Sequence, residues 1–64
     1  MKKKVIVHFE NGTTRDYGDA AWNWDDNNTL LTIMQYIDGR SLPVALIPRE
    51  ALELLEIDWN ANND

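Results

Sequence analysis

The sequence predicts a mainly β protein, built as a five-stranded antiparallel sheet with one short helical turn near residues 48–52. The strongest observation is an Asp-Gly dipeptide, Asp38-Gly39, between two runs rich in apolar residues. Such a dipeptide is typical of a β-hairpin, because glycine takes a positive φ without a Cβ clash. Residues 2–10 alternate between apolar and polar side chains, and residues 30–37 are apolar at almost every position. The first pattern is typical of a half-buried strand and the second of a central strand.

The first predicted hairpin lies between residues 4 and 17, with Asn11-Gly12 at its turn. We expect a three-residue loop, residues 10–12, with Gly12 in the left-handed region. This loop pairs Val5 with Tyr17 and so places Tyr17 on the core face. A two-residue turn would set Tyr17 beside Ile6 instead, on the opposite face.

Residues 19–28 are predicted to form a connection rather than a strand. Asp19 is expected to cap a short helical turn, and the cluster Asp-Asp-Asn-Asn at residues 25–28 is typical of a turn. The connection carries two tryptophans, Trp22 and Trp24. We expect one indole to close an end of the core and the other to be partly exposed.

The second half of the chain supplies the remaining strands. The segment 30–37 needs a neighbour on each side, whereas Pro43 cannot donate a ladder hydrogen bond and therefore predicts an edge strand. Pro48 suits the first position of a single helical turn. Residues 53–59 contain good helix formers but also alternate as a strand does. We predict a strand, because the sheet needs a last neighbour, and a frayed tail at residues 60–64.

The segment from Ala45 to Leu55 resembles the closing segment of SH3 and SH3-like small barrels. It reads as an apolar strand, a proline, one turn and a final short strand, and it covers about a sixth of the chain. The first half departs from true SH3 domains, since their Ala-Leu-Tyr-Asp-Tyr opening is absent. The resemblance therefore implies the architecture of a small barrel and does not imply binding of proline-rich peptides.

Size and composition limit the class of protein. With 64 residues and no cysteine, the chain is expected to be one small domain, residues 1–64, without disulfides or thiolate metal sites. The apolar run after the first lysines is too short for a signal peptide, and no stretch of about 18 apolar residues is present to span a bilayer. We expect a cytoplasmic protein that does not associate with membranes.

The charge distribution argues against nucleic acid as a direct ligand. The formal net charge is −5, and three of the six basic residues are Lys2, Lys3 and Lys4. The segments 16–28 and 50–64 contain acids and no base. Such a surface repels DNA, RNA and anionic membranes.

No residue cluster predicts a catalytic or metal site. His8 is the single histidine, and a strand histidine without a pocket and a second partner is usually a solvated side chain. The oxygen ligands of residues 25–28 lack the glycine and glutamate spacing of an EF-hand. We therefore predict no enzyme activity, no cofactor and no bound metal.

The tryptophans are the most informative side chains for function. Three tryptophans are many for so short a chain, and a core this small is not expected to bury all of them. Exposed tryptophan is enriched at binding hot spots. The predicted partner-binding residues combine the indoles with nearby acids: Trp22, Trp24, Asp19, Asp25, Asp26 and Trp59.

These features favour a non-catalytic protein-binding module. In a narrower version, the acids imitate nucleic acid and occupy the basic groove of a nucleic-acid-handling protein, as small inhibitors of phage type do. The alternative is a structural protein, a homo-oligomer in which exposed edges or tryptophans of neighbouring copies pack together.

Overall fold

The computed structural model describes residues 3–59 and contains short antiparallel strands with a single 3₁₀ turn. Residues 1–2 and 60–64, including the predicted frayed tail, lie outside the described range. The elements are β1 (Lys4–Phe9), β2 (Thr14–Gly18), β3 (Ala21–Trp24), β4 (Leu30–Ile37), β5 (Arg40–Pro48), the 3₁₀ turn (Arg49–Ala51) and β6 (Leu52–Asp58).

The strands form two three-stranded sheets rather than one five-stranded sheet. The first sheet has the order β2-β1-β6 and the second has the order β3-β4-β5, and every pair is antiparallel. The ladders do not close the two sheets into a barrel. The mainly β class is thus correct, and the single five-stranded sheet is replaced by two smaller ones.

The first hairpin has the predicted loop. Gly12 has φ +91° and its N–H donates to the Phe9 carbonyl at 3.0 Å, and Val7 lies opposite Arg15 as expected. The pairing departs from prediction at the far end, where Val5 lies opposite Gly18 because of a bulge. A bulge adds one residue to a strand, so Tyr17 has no partner directly opposite and only partly covers the core.

The predicted helical turn after Asp19 is absent. Gly18 has φ +71°, and its carbonyl accepts a hydrogen bond from the Ala20 N–H at 2.9 Å. Ala20 is buried in the core, and β3 starts at the next residue. Ala20 thus lies where the chain passes from the first sheet to the second, with its small side chain in the shared core. The segment predicted as a connection therefore contains a strand.

The second hairpin is as predicted. Ile37 lies opposite Arg40, so that Asp38 and Gly39 form a two-residue turn with φ +52° and +82°. Strand β4 lies between β3 and β5. Strand β5 is an edge strand with an irregularity next to Pro43, in agreement with the missing N–H of proline.

The end of the chain has the predicted turn followed by a strand, and β6 pairs with β1 along its length. Pro48, predicted at the first position of the turn, is instead the last residue of β5 and precedes the turn with extended backbone. Long-range pairing thus prevails over the helix-forming side chains of residues 53–56.

The core lies between the two sheets and takes side chains from both. The buried residues are Val5, Val7, Ala20, Leu31, Ile33 and Ile47. Half-buried side chains, among them Phe9, Trp22 and Leu55, pack around this cluster. One core therefore joins the two sheets, although no ladder does.

Candidate partner-binding site

A groove of about 490 Å³ lies where the β3–β4 loop approaches the 3₁₀ turn. Its lining residues are Trp24, Asn28, Arg49, Leu52 and Glu53. Trp24 and Leu52 are half-buried and pack against the core, whereas the other three are exposed. The groove therefore has apolar side chains beside a hydrogen-bond donor and a carboxylate.

Asp25 builds the loop that forms one wall of this groove. Its Oδ1 accepts hydrogen bonds from the backbone N–H of Thr29 at 2.6 Å and of Leu30 at 3.1 Å. Its Oδ2 accepts from the Thr29 hydroxyl at 2.6 Å. These bonds, with the Thr29 hydroxyl contributing most, lower the pKa of the Asp25 carboxyl below its usual value of 3.8.

Arg49 joins the 3₁₀ turn to the same loop. Its backbone N–H donates to the Thr29 carbonyl at 2.9 Å, and Nη1 donates to the Asn28 carbonyl at 3.2 Å. Asn28 has φ +57°, a conformation that asparagine tolerates better than most residues. Two hydrogen bonds, one from the Arg49 backbone and one from its side chain, thus join the two walls of the groove.

The segments that form the groove are acidic. Residues 24–28 and 49–53 contribute four carboxylates and one cation, Arg49. The carboxylates are Asp25, Asp26, Glu50 and Glu53, all on exposed residues. A groove with this charge attracts a basic ligand at low ionic strength.

The predicted tryptophans occupy two different places. Trp22 and Trp24 lie on the inner side of β3, opposite Ile33 and Leu31 respectively, and each is half-buried. Trp24 lines the groove and Trp22 packs on the core. Trp59 follows β6 and is 61% exposed. It lies seven residues along the chain from Leu52, about 23 Å from it at 3.3 Å per residue.

The predicted acids also have separate positions. Asp19 lies in the connection between β2 and β3 and pairs with Lys3, just before β1, at 3.3 Å. Asp25 uses both of its oxygens within the loop. Asp26 is exposed in the turn that follows Trp24. The structure therefore brings Trp24, Asp25 and Asp26 together and leaves Asp19 and Trp59 elsewhere.

Asn28 is a lining residue that sequence reasoning missed, and so are Arg49, Leu52 and Glu53. The position of the last three, after Pro48, marks the turn, but nothing local indicates that this turn meets the loop at residues 25–29. That contact depends on how β5 pairs with β4.

His8 lies outside this groove, on the outer face of the first sheet. Its Nε2 is 2.7 Å from Glu56 Oε1. Within residues 3–59, no group of three or more His, Asp or Glu side chains has the geometry of a metal site. No helix in that range has the length and apolarity to cross a membrane.

Comparisons with protein-family models, with curated proteins and with solved structures gave no significant match. The functional argument therefore rests on the geometry and charge of the described residues.

Proposed function

We propose that the chain is a non-catalytic protein-binding domain, and that the groove beside Trp24 takes a basic segment of the partner. The observation that carries the proposal is the groove itself, where a half-buried indole lies next to exposed polar side chains. A half-buried tryptophan contributes apolar contact area at a small entropic cost.

The charge around the groove supports a basic partner. Asp26, Glu50 and Glu53 are exposed and flank the half-buried indole and Leu52. Complementary charge raises the association rate and excludes acidic competitors. An apolar side chain on the partner, flanked by lysine or arginine, would match both features of the groove.

A narrower form of the proposal is that the acids imitate nucleic acid and occupy the basic groove of a nucleic-acid-handling protein. The net charge of −5 supports it. Lys3 and Lys4 pair with Asp19 and Asp16, so this version relies on the acids of residues 25–26 and 50–53. We expect the affinity for such a partner to fall as salt increases.

The order of apolar strand, Pro48, 3₁₀ turn and last strand remains similar to the closing segment of SH3-like domains. The two sheets do not close into the small barrel that this resemblance implies. We therefore base no part of the proposed function on the resemblance.

The test is a titration of the labelled protein with basic peptides that carry one central leucine or phenylalanine. We expect chemical-shift changes at the Trp24 indole N–H, and weaker binding for Trp24→Ala and Glu53→Gln. Glu53 is exposed, so the Glu53→Gln variant tests the groove even if Trp24→Ala unfolds. A pull-down from the native host with the same variants extends the test to natural partners.

Asp38→Asn is the matched control for charge. Asp38 is an exposed acid at the opposite end of β4, in a left-handed position that asparagine accepts. The Asp38→Asn substitution removes one negative charge, as Glu53→Gln does. Equal loss of binding in both variants, or no binding by any basic peptide at low salt, would contradict the proposal.

A further inference from the structure

The outer face of the β3–β4–β5 sheet carries no charged side chain at its paired positions. Residues directly opposite in a ladder share a face, and Asn23, Thr32 and Leu46 form one such row. The next rows add Met34 with Ala21 and Pro43, and Tyr36 with Ser41. Charged residues make up 27% of the chain, so a face of this size without charge is unusual.

Two large side chains on this face are largely exposed to solvent. Tyr36 is 74% exposed and Leu46 is 62% exposed. The inner positions in the middle of the same strands behave differently, because Leu31, Ile33 and Ile47 are buried, whereas Ile37 beside the hairpin turn is 40% exposed. Away from that turn, the exposed apolar side chains belong to the outer face.

The outer face of the other sheet has the opposite character. Lys4, Asp16, His8 and Glu56 lie there, paired as Lys4 with Asp16 at 3.6 Å and His8 with Glu56 at 2.7 Å. One sheet thus exposes ionisable groups and the other exposes neutral ones.

We infer that the outer face of the β3–β4–β5 sheet is covered by a second copy of the chain, related by a two-fold axis. A chain of net charge −5 repels its own copies, and a neutral face is where two copies approach with the least repulsion. A two-fold axis sets each face against itself, so no like charges meet. A basic partner would gain no electrostatic attraction on this face.

Pairing through the edge strands of this sheet is disfavoured, so its outer face is the larger contact that the sheet offers. Pro43 and Pro48 have no N–H to donate on β5, and Val44 is the extra residue of an irregularity beside Pro43. Strand β3 has four residues, too few for a long added ladder. The inference is independent of the groove proposed above.

The face sets the expected strength of the dimer. Three strands about 4.8 Å apart and up to nine residues long cover at most roughly 14 Å by 30 Å. This area is below the roughly 800 Å² per partner of a standard stable interface. We therefore expect reversible dimers that dissociate at micromolar or higher concentrations.

The test is sedimentation equilibrium over about 10 µM to 1 mM. The mass should rise from the 7.4 kDa of the monomer toward twice that value. Leu46→Lys and Tyr36→Lys should raise the dissociation constant at least tenfold. Each substitution also reduces the net negative charge, which by itself would favour association, so the loss has to come from the contact.

Leu54→Lys is the matched control, because Leu54 is 54% exposed on the outer face of the other sheet. It should dimerise as well as the original chain, with circular dichroism verifying the fold of every variant. A mass of 7.4 kDa at all concentrations would overturn the inference. So would equal weakening by Leu54→Lys and Leu46→Lys, or a mass well above that of a dimer.

Discussion

At the scale of single residues, Asp25 shows how one side chain serves structure where the sequence predicted contact with a partner. Three hydrogen bonds to Thr29 and Leu30 occupy its carboxylate. An acid beside a tryptophan was interpreted as part of a binding surface, whereas the structure gives it the closure of the loop. In the proposed site, the part we assign to Asp25 is therefore to hold the loop in place.

The first prediction concerns the stability that Asp25 contributes. Asp25→Ala should lower the denaturation midpoint at neutral pH, because the loop N–H groups lose their acceptor. The pKa of Asp25 in the folded chain lies below 3.8, so the unfolded chain binds the proton more tightly. The stability that the ionised Asp25 carboxylate contributes is fully present above the pKa of Asp25 in the unfolded chain. It is lost as the pH falls through the lower pKa of Asp25 in the folded chain. Urea titrations of both proteins from neutral pH to about pH 2 measure it.

Asp25→Asn separates the hydrogen bonds from the charge. The amide oxygen of asparagine still accepts from the backbone N–H groups but does not titrate. Asp25→Asn should be more stable than Asp25→Ala. The difference in stability between these two variants should not change with pH, unlike the difference between the original chain and Asp25→Ala. A constant gap between the original chain and Asp25→Ala at every pH would refute the role given to the ionised carboxylate.

At the scale of elements, β4 is the central strand of the second sheet, and its two faces differ in how far their side chains are buried. Ile33 is fully buried, and its neighbours along the strand lie on the outer face. From the sequence this strand was interpreted as apolar on both faces and therefore central. It is central in its sheet, but only one face is covered within the described chain.

The second prediction compares the two faces. Ile33→Ala should cost about 2–5 kcal/mol of stability, since it removes buried methyl groups and leaves a cavity. Leu46→Ala, on the outer face and 62% exposed, should change stability by no more than about 0.5 kcal/mol at concentrations where the chain is monomeric.

Ile33→Val, expected to cost about 0.5–1.5 kcal/mol, keeps the comparison usable if the alanine variant is unfolded. Chemical denaturation followed by circular dichroism gives all three values. Similar losses at both positions would mean that the outer face is packed in the monomer.

At the scale of the whole molecule, the two sheets share one core without sharing a ladder. Val5 and Val7 of the first sheet lie in the same cluster as Leu31 and Ile47 of the second. In a chain of 64 residues, the core is too small for either three-stranded sheet to be stable alone.

The third prediction is that unfolding is a single transition. Tryptophan fluorescence reports mainly on β3, which carries Trp22 and Trp24, whereas far-ultraviolet circular dichroism reports on both sheets. The two signals should change at the same urea concentration, because neither sheet keeps a core after the other separates. Replacing Trp59 by phenylalanine removes the exposed indole and sharpens the comparison. Two separated midpoints would show that the sheets unfold independently.

The sequence by itself determined the local features of this protein. Asp38-Gly39 and Gly12 specified their turns through positive φ, the period of residues 4–9 specified a strand, and Pro48 specified the start of the 3₁₀ turn. Each of these depends on backbone sterics or on side-chain alternation over a few residues, which the local sequence contains.

Only the tertiary structure decided how those elements combine. Packing around a shared core that includes Ala20 accompanies the division of the strands between two sheets, and the approach of Arg49 to the loop made a groove of residues far apart in the chain. The same pairing gathered neutral side chains such as Tyr36 and Leu46 on one outer face. These outcomes depend on contacts between distant segments, whose free energy is set by shared burial rather than by any local pattern.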